Sequence, residues 1–111
     1  MHYFIDTKGI QPTEQELQQL ETRLGIGLSR YHGIISKCDI HFSLVEANVH
    51  NSEVKCEITV LMANASQVTI QDISTDLSDA FHNAISRTKR SIERQLKRAK
   101  RTHNNYGSRS F

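Results

Sequence analysis

The sequence contains few of the residues that build disulfide frameworks, aromatic stacking surfaces or membrane spans. Among 111 residues there are two cysteines, one proline and no tryptophan. The apolar runs are only a few residues long, which excludes a membrane-spanning helix. The N-terminus lacks the basic and then apolar pattern of a secretory signal, so we expect a cytoplasmic location. Cys38 and Cys56 fall at inward positions of predicted strands, and we expect reduced core thiols there rather than a disulfide between neighbouring strands.

Patterns that carry catalysis or tight ligand binding are also missing. There is no phosphate-binding loop, dinucleotide fingerprint, zinc-protease motif or nucleophile elbow, and the carboxylates show no pairing that suggests acid–base catalysis. The six histidines are scattered along the chain. Cys38 and His41 differ by three positions on one predicted strand, so they point to opposite faces and do not share a metal ion. We therefore predict a protein that is not an enzyme and has no cofactor, metal or small-molecule substrate.

What the sequence does contain is a succession of amphipathic segments. Some have every second residue apolar, as in half-buried strands, and others have apolar residues at steps of three and four, as in helices. In chain order they predict strand, helix, three strands and helix, at residues 2–7, 14–31, 37–44, 53–62, 67–73 and 76–101. The expected fold class is α+β, a βαβββα arrangement with two helices packed on one face of a four-stranded, mainly antiparallel sheet. Residues 1–101 would form one domain and residues 102–111 a flexible polar tail.

The first predicted helix has a clear start and an ambiguous second half. Thr13 and Glu16 form a capping-box pattern, in which each side chain satisfies a free backbone amide. Gly25 and Gly27 each cost about 1 kcal/mol relative to alanine in a helix interior. The two glycines indicate either a break in the helix or close packing of its backbone, and both alternatives remain open at this point.

The second predicted helix has a different chemistry on each of two faces. Apolar and small residues from Leu77 to Ala99 form one stripe that is suited to burial. The opposite face carries a row of cations, Arg87, Arg90, Arg94, Lys97 and Arg101. Arg98 lies beside this row, and Lys89 and Lys100 flank the apolar stripe. At 1.5 Å per residue the row from Arg87 to Arg101 would be about 20 Å long.

Charge is segregated along the chain. The net charge is only +2, but residues 1–85 carry five Lys/Arg against eleven Asp/Glu, whereas residues 86–111 carry nine Lys/Arg against one acid, Glu93. Like charges four residues apart destabilise a helix, and a merely solvated face would interleave glutamate with lysine. The segregation therefore favours a polyanionic partner, of which nucleic acid is the commonest.

Three segments, together with the element order, resemble a known family. They are LSRYHGII at residues 28–35, CDIHFSL at 38–44 and SIERQLKRAKR at 91–101. The resemblance is to the ribosome hibernation-promoting factor and RaiA family of ribosome-associated translation inhibitors, and it extends over nearly the whole chain. The sequence is similar to a short or divergent member, without the second, dimerising domain of the long members.

The resemblance implies both a fold and a partner. The fold would be similar to double-stranded-RNA-binding domains, and the partner would be the small ribosomal subunit and its rRNA, at the mRNA and tRNA sites. Basic residues of both helices contact rRNA in this family, and the matching positions are Arg23, Arg30, Lys37, Arg90, Arg94, Lys97, Arg98, Lys100 and Arg101. The geometry of the second helix adds Arg87 and Lys89 to this RNA-binding set.

The residues lead to one main hypothesis and two alternatives. In the main hypothesis the protein binds the small subunit through its basic helix, blocks mRNA and tRNA sites, and inhibits translation or promotes ribosome hibernation under stress. The first alternative is a generic RNA-binding module. The second is a protein-interaction module whose basic helix docks on an acidic partner.

Overall fold

The protein folds in the predicted order of strands and helices. The computed structural model describes the backbone of residues 2–46 and 52–109, and the side chains of residues 2–45 and 52–98. The strands are β1 His2–Lys8, β2 Ile35–Glu46, β3 Ser52–Met62 and β4 Gln67–Ser74, and the helices are α1 Glu14–Leu28 and α2 Leu77–Arg109. A short 3₁₀ helix, Ser29–Tyr31, follows α1 directly.

The four strands form one sheet in the order β1-β2-β3-β4. β1 pairs with β2 in parallel, because α1 carries the chain back to the starting end of the sheet. β2 with β3, and β3 with β4, are antiparallel and joined by short connections. The alternation in the sequence predicts the two faces of β2. Cys38, Ile40 and Phe42 are buried, whereas Lys37 and His41, which alternate with them, are exposed. The α+β prediction is therefore confirmed.

Both helices cover the apolar face of the sheet. Leu20, Leu24 and Leu28 of α1 are buried together with Phe81 and Ile92 of α2. Successive residues along α1 and the 3₁₀ helix contact successive residues along α2. Arg23 bonds Ser78, Gly27 faces Ile85, and Tyr31 bonds Glu93. The two helices therefore run parallel, side by side, with a shared outer surface that faces away from the sheet.

The glycines of α1 do not break the helix. α1 begins at the capping box of Thr13 and Glu16 and continues through Gly25 and Gly27 to Leu28. A Cβ atom at Gly25 would meet nothing within 4 Å, whereas one at Gly27 would lie 2.9 Å from Cγ2 of Ile85. Close packing against α2 thus explains Gly27. The predicted end at residue 31 is wrong for the α-helix, because the last turn tightens into the 3₁₀ helix.

α2 begins where the sequence predicts and ends later. The carboxylate of Asp76 accepts a hydrogen bond from the backbone N–H of Asp79 at 2.8 Å, which caps the first turn. The helix then continues past the predicted end at Arg101 to Arg109, since no proline interrupts it and polar residues only weaken a helix. The division into residues 1–101 and a flexible tail stays a prediction.

The core ends before α2 does. Ile92 is fully buried, but Leu96 is already 38 % exposed, so the apolar stripe leaves the sheet after Ile92. Cys38 and Cys56 are free and buried, which confirms the predicted core thiols. Burial raises the pKa of each thiol to about 12. Within the described residues, neither helix combines the length and apolarity needed to cross a bilayer.

Candidate nucleic-acid interface

The cations of α2 occupy three sides of the helix, because the fourth side is packed on the sheet and on α1. Arg90 and Lys97 are exposed on the outer side. Arg94 and Arg98 lie towards β4, and Lys89 lies towards α1. We call these five residues the cationic face. The amphipathic pattern of the sequence predicts this surface. In the fold, part of it lies next to β4 and part of it lies next to α1.

On the β4 side, basic side chains line a shallow groove. Arg94 and Arg98 border it together with Ser91 of α2 and with Val68 and Ile70 of β4, so two guanidinium groups and the Ser91 hydroxyl line the same groove. Such groups donate hydrogen bonds to phosphate oxygens. Arg94 and Arg98 are also four residues apart, and their mutual repulsion disfavours the free helix. An anion between them would remove that cost.

Arg87 is held by the protein itself. Its Nη1 donates a hydrogen bond of 2.6 Å to the backbone carbonyl of Gln71 and lies 3.6 Å from a carboxylate oxygen of Asp72. The carboxylate of Asp72 is mostly buried, whereas the Arg87 side chain is half exposed. Arg87 therefore ties α2 to β4, and only part of its charge is available to a ligand.

On the α1 side, the carboxylate of Glu93 lies near three cations. The hydroxyl of Tyr31 donates a hydrogen bond of 2.6 Å to Oε1 of Glu93. This bond lowers the pKa of Glu93, and the charges of Lys89, Arg30 and Lys97 lower it further. Burial raises the pKa of Tyr31, and the bond to Glu93 adds to that shift. Glu93 thus stays ionised, anchors the 3₁₀ helix to α2 and lies among the cations that flank it.

Tyr31 and Glu93 are not among the site residues predicted from the sequence. The sequence does distinguish Glu93, because it is the one acid of residues 86–111 and lies four residues from both Lys89 and Lys97. That spacing places all three side chains on one side of a helix. The partner Tyr31, 62 positions away, depends on how α1 packs against α2.

Arg23 and Arg30 join the cationic face from α1 and the 3₁₀ helix. Nη1 of Arg23 donates a hydrogen bond of 3.1 Å to the hydroxyl of Ser78 at the start of α2. Arg30 lies near Glu93, whose pKa its charge lowers. The structure therefore brings both predicted residues of the first helical segment next to α2.

Lys37 lies elsewhere. It belongs to the sheet face that points away from the helices, where its ammonium is 3.5 Å from a carboxylate oxygen of Asp39 and 5.4 Å from the centre of the Phe4 ring. It shares no surface with the cationic face, because strand residues alternate between the two sides of the sheet. Its predicted RNA contact would need a second point of approach. The side chains of Lys100 and Arg101 lie outside the described residues.

Comparison with known proteins identifies the family. Residues 3–104 match the sequence model of the family described as sigma 54 modulation protein / S30EA ribosomal protein. The chain belongs to this family. The membership predicted from the three sequence segments is thereby confirmed. No curated protein sequence matches the chain significantly.

Two solved structures have a similar fold. The protein Y N-terminal domain of Thermus thermophilus superposes with a TM-score of 0.68 at 19 % identity, over 85 % of this chain and 98 % of that one. A ribosomal subunit interface protein of Coxiella burnetii gives a TM-score of 0.60 at 18 % identity, over 90 % of this chain and 98 % of that one. At these identities the likeness establishes the βαβββα fold.

Proposed function

We propose that this protein is a cytoplasmic, ribosome-associated factor that binds the rRNA of the small ribosomal subunit through the cationic face of α2, with Arg23 and Arg30 beside it. Bound there, it would block the sites of mRNA and tRNA and so inhibit translation or promote hibernation under stress. Membership of a family whose description names a ribosomal protein supports the partner. The observation that carries the proposal is the gathering of cations on the side of both helices that faces away from the core.

The charge distribution supports a polyanion rather than a small anion. Arg90, Arg94 and Lys97 are exposed within two turns of one helix, with Arg98 directly after them. Each phosphate that such a row neutralises releases counterions, so affinity falls steeply as salt rises. RNA helices are recognised mainly through shape and backbone, which suits a row of guanidinium and ammonium groups.

The experiment is co-sedimentation with vacant ribosomes and with separated subunits at roughly 50 mM and 200 mM salt, a range over which multi-phosphate contacts weaken greatly. The test variant is Arg90→Glu with Arg94→Glu. The matched control is Lys8→Glu with Lys55→Glu, which makes the same change in net charge on the opposite face of the sheet, where Lys8 and Lys55 both lie level with Ser43.

We expect the native protein and the control to migrate with the small subunit at low salt, and the test variant to stay at the top of the gradient. Equal binding by the test variant would refute the assignment of α2. Equal loss in both variants would indicate a response to net charge only. Binding to duplex RNA competitor as strong as to subunits would favour the generic RNA-binding module. Binding that survives nuclease treatment would favour an acidic protein partner.

A further inference from the structure

The outer surface of the two helices contains a groove that the charge pattern does not reveal. It lies between α1 and α2, encloses about 400 Å³, and is lined by residues of both helices: Arg23, Ile26, Gly27, Phe81, His82, Ile85, Ser86 and Lys89. Half-buried Gly27 forms its floor, Phe81 and Ile85 are buried beneath that floor, and Ile26 is its exposed apolar wall. Its rim is polar or cationic, made by Arg23, His82, Ser86 and Lys89. None of its lining residues within the described part of the chain is acidic.

Gly27 gives the groove its floor. The backbone of α1 approaches α2 so closely there that a Cβ atom would lie 2.9 Å from Cγ2 of Ile85. Because residue 27 has no side chain, the groove is open above the half-buried backbone of Gly27, and Ile85 is buried beneath it. The groove is therefore a consequence of the same close packing that keeps α1 continuous.

Ile26 forms one wall of the groove and is 74 % exposed, the largest exposure among the big apolar side chains of the described residues. An isolated apolar residue on a surface needs no explanation. This one, however, borders the backbone of Gly27 and lines the same groove as two cations, Arg23 and Lys89. Arg23 is held at the level of Ser78 and Lys89 lies eleven residues further along α2, so the two are about 16 Å apart at 1.5 Å per residue.

We propose that this groove receives one unpaired nucleotide of the RNA. Its base would lie over the backbone of Gly27 and against Ile26, and the phosphates of the preceding and following nucleotides would meet Arg23 and Lys89. The inference rests on the proposed function and adds the kind of RNA element recognised. The bases of a duplex are stacked inside it, so their apolar faces cannot contact an apolar side chain of the protein. An unpaired base, in contrast, has an accessible apolar face joined to anionic phosphates. An exposed apolar wall with a cationic, acid-free rim is complementary to that combination.

The first test compares two substitutions of the same kind. Ile26→Ser removes the wall of the groove. Ile73→Ser is the matched control, because Ile73 is 49 % exposed on β4 at the opposite face of the sheet. Affinity for the small subunit is measured together with two footprints on its rRNA, one by base-specific methylation and one by backbone cleavage. We expect Ile26→Ser to bind about tenfold more weakly, as the loss of one apolar contact implies. It should also lose the protection of a single unpaired base, while backbone protections remain and Ile73→Ser behaves as the native protein.

Unchanged affinity and unchanged base protection in Ile26→Ser would overturn the inference while leaving the proposed function intact. Failure of the native protein itself to bind small subunits would overturn the proposed function, and this inference with it. The two failures are therefore distinguishable.

The second test identifies the occupant directly. In Ile26→Cys the new thiol is exposed, whereas Cys38 and Cys56 are buried with pKa values of about 12, so a maleimide photocrosslinker will attach at position 26. Irradiation of the complex with small subunits should give crosslinks to one rRNA nucleotide. Crosslinks to a ribosomal protein in place of rRNA would show that a peptide fills the groove and would overturn the inference.

Discussion

Gly25 and Gly27, two positions apart in α1, should respond differently to the same substitution. Gly25→Ala places a methyl group in open space, and Gly27→Ala places one 2.9 Å from Cγ2 of Ile85. Alanine is favoured over glycine in a helix by about 1 kcal/mol, so Gly25→Ala should stabilise the protein by up to that amount. In a domain of about 100 residues this corresponds to an increase in Tm of about 4–8 °C.

Gly27→Ala gains the same stabilisation from helix propensity, but steric crowding against Ile85 offsets it. Ile85 is buried and β-branched, so its methyl group does not turn aside freely. Overpacking of this kind costs about 1–3 kcal/mol, and the net result should be a protein that is unchanged to about 2 kcal/mol less stable. The expected difference between the two variants is therefore about 1–3 kcal/mol.

Urea denaturation followed by circular dichroism measures both changes, with an unchanged slope as evidence that the transition stays two-state. The contact itself is tested in the Ile85→Leu background, which lacks the Cγ2 methyl group and costs less than about 1.5 kcal/mol in a repacked core. There Gly27→Ala should recover most of the stabilisation seen for Gly25→Ala. Equal stabilisation by Gly25→Ala and Gly27→Ala in the native background would refute the close approach of α1 and α2.

Two further predictions concern hydrogen bonds that fix the helices. Thr13→Ala removes the acceptor for the backbone N–H of Glu16, a bond of 3.1 Å, and should cost about 1 kcal/mol in urea denaturation; no change would mean that the capping box is not stabilising. The bond from Tyr31 lowers the pKa of Glu93, so its contribution is present above the unfolded-state pKa of about 4.3 and is lost as pH falls through the lower folded-state value. Tyr31→Phe should therefore destabilise the protein at pH values near neutrality and less so in acid, measured as denaturation midpoints across that window; a pH-independent difference would contradict the assignment.

The order of the elements and the faces of the strands could be predicted from the sequence, because both depend on local periodicity. Alternation along β2 distinguished Cys38, Ile40 and Phe42 from the exposed residues between them, and the fold buries those three. The segregation of charge into residues 86–111 likewise needs no structure. The helix ends were less accurate, since Gly25, Gly27 and the polar residues after Arg101 weaken a helix without ending it.

The membership of the candidate interface depends on the tertiary structure. Lys37 was predicted with the cations of α2, yet it lies on the other face of the sheet, and Arg87 is partly occupied by Gln71 and Asp72. Neither result follows from periodicity, which gives the direction of a side chain relative to its own element only. Which element lies opposite depends on how the whole chain packs.

The sequence by itself therefore determined that one helix of this protein is amphipathic, cationic and suited to a polyanion. The tertiary structure decided what surrounds that helix. It set α1 parallel to α2, joined Tyr31 to Glu93 across 62 positions, and opened a groove above Gly27 and Ile85. These features arise from contacts between distant segments, and the physical reason is that close packing of two helices depends on the side chains of both at the point where they meet.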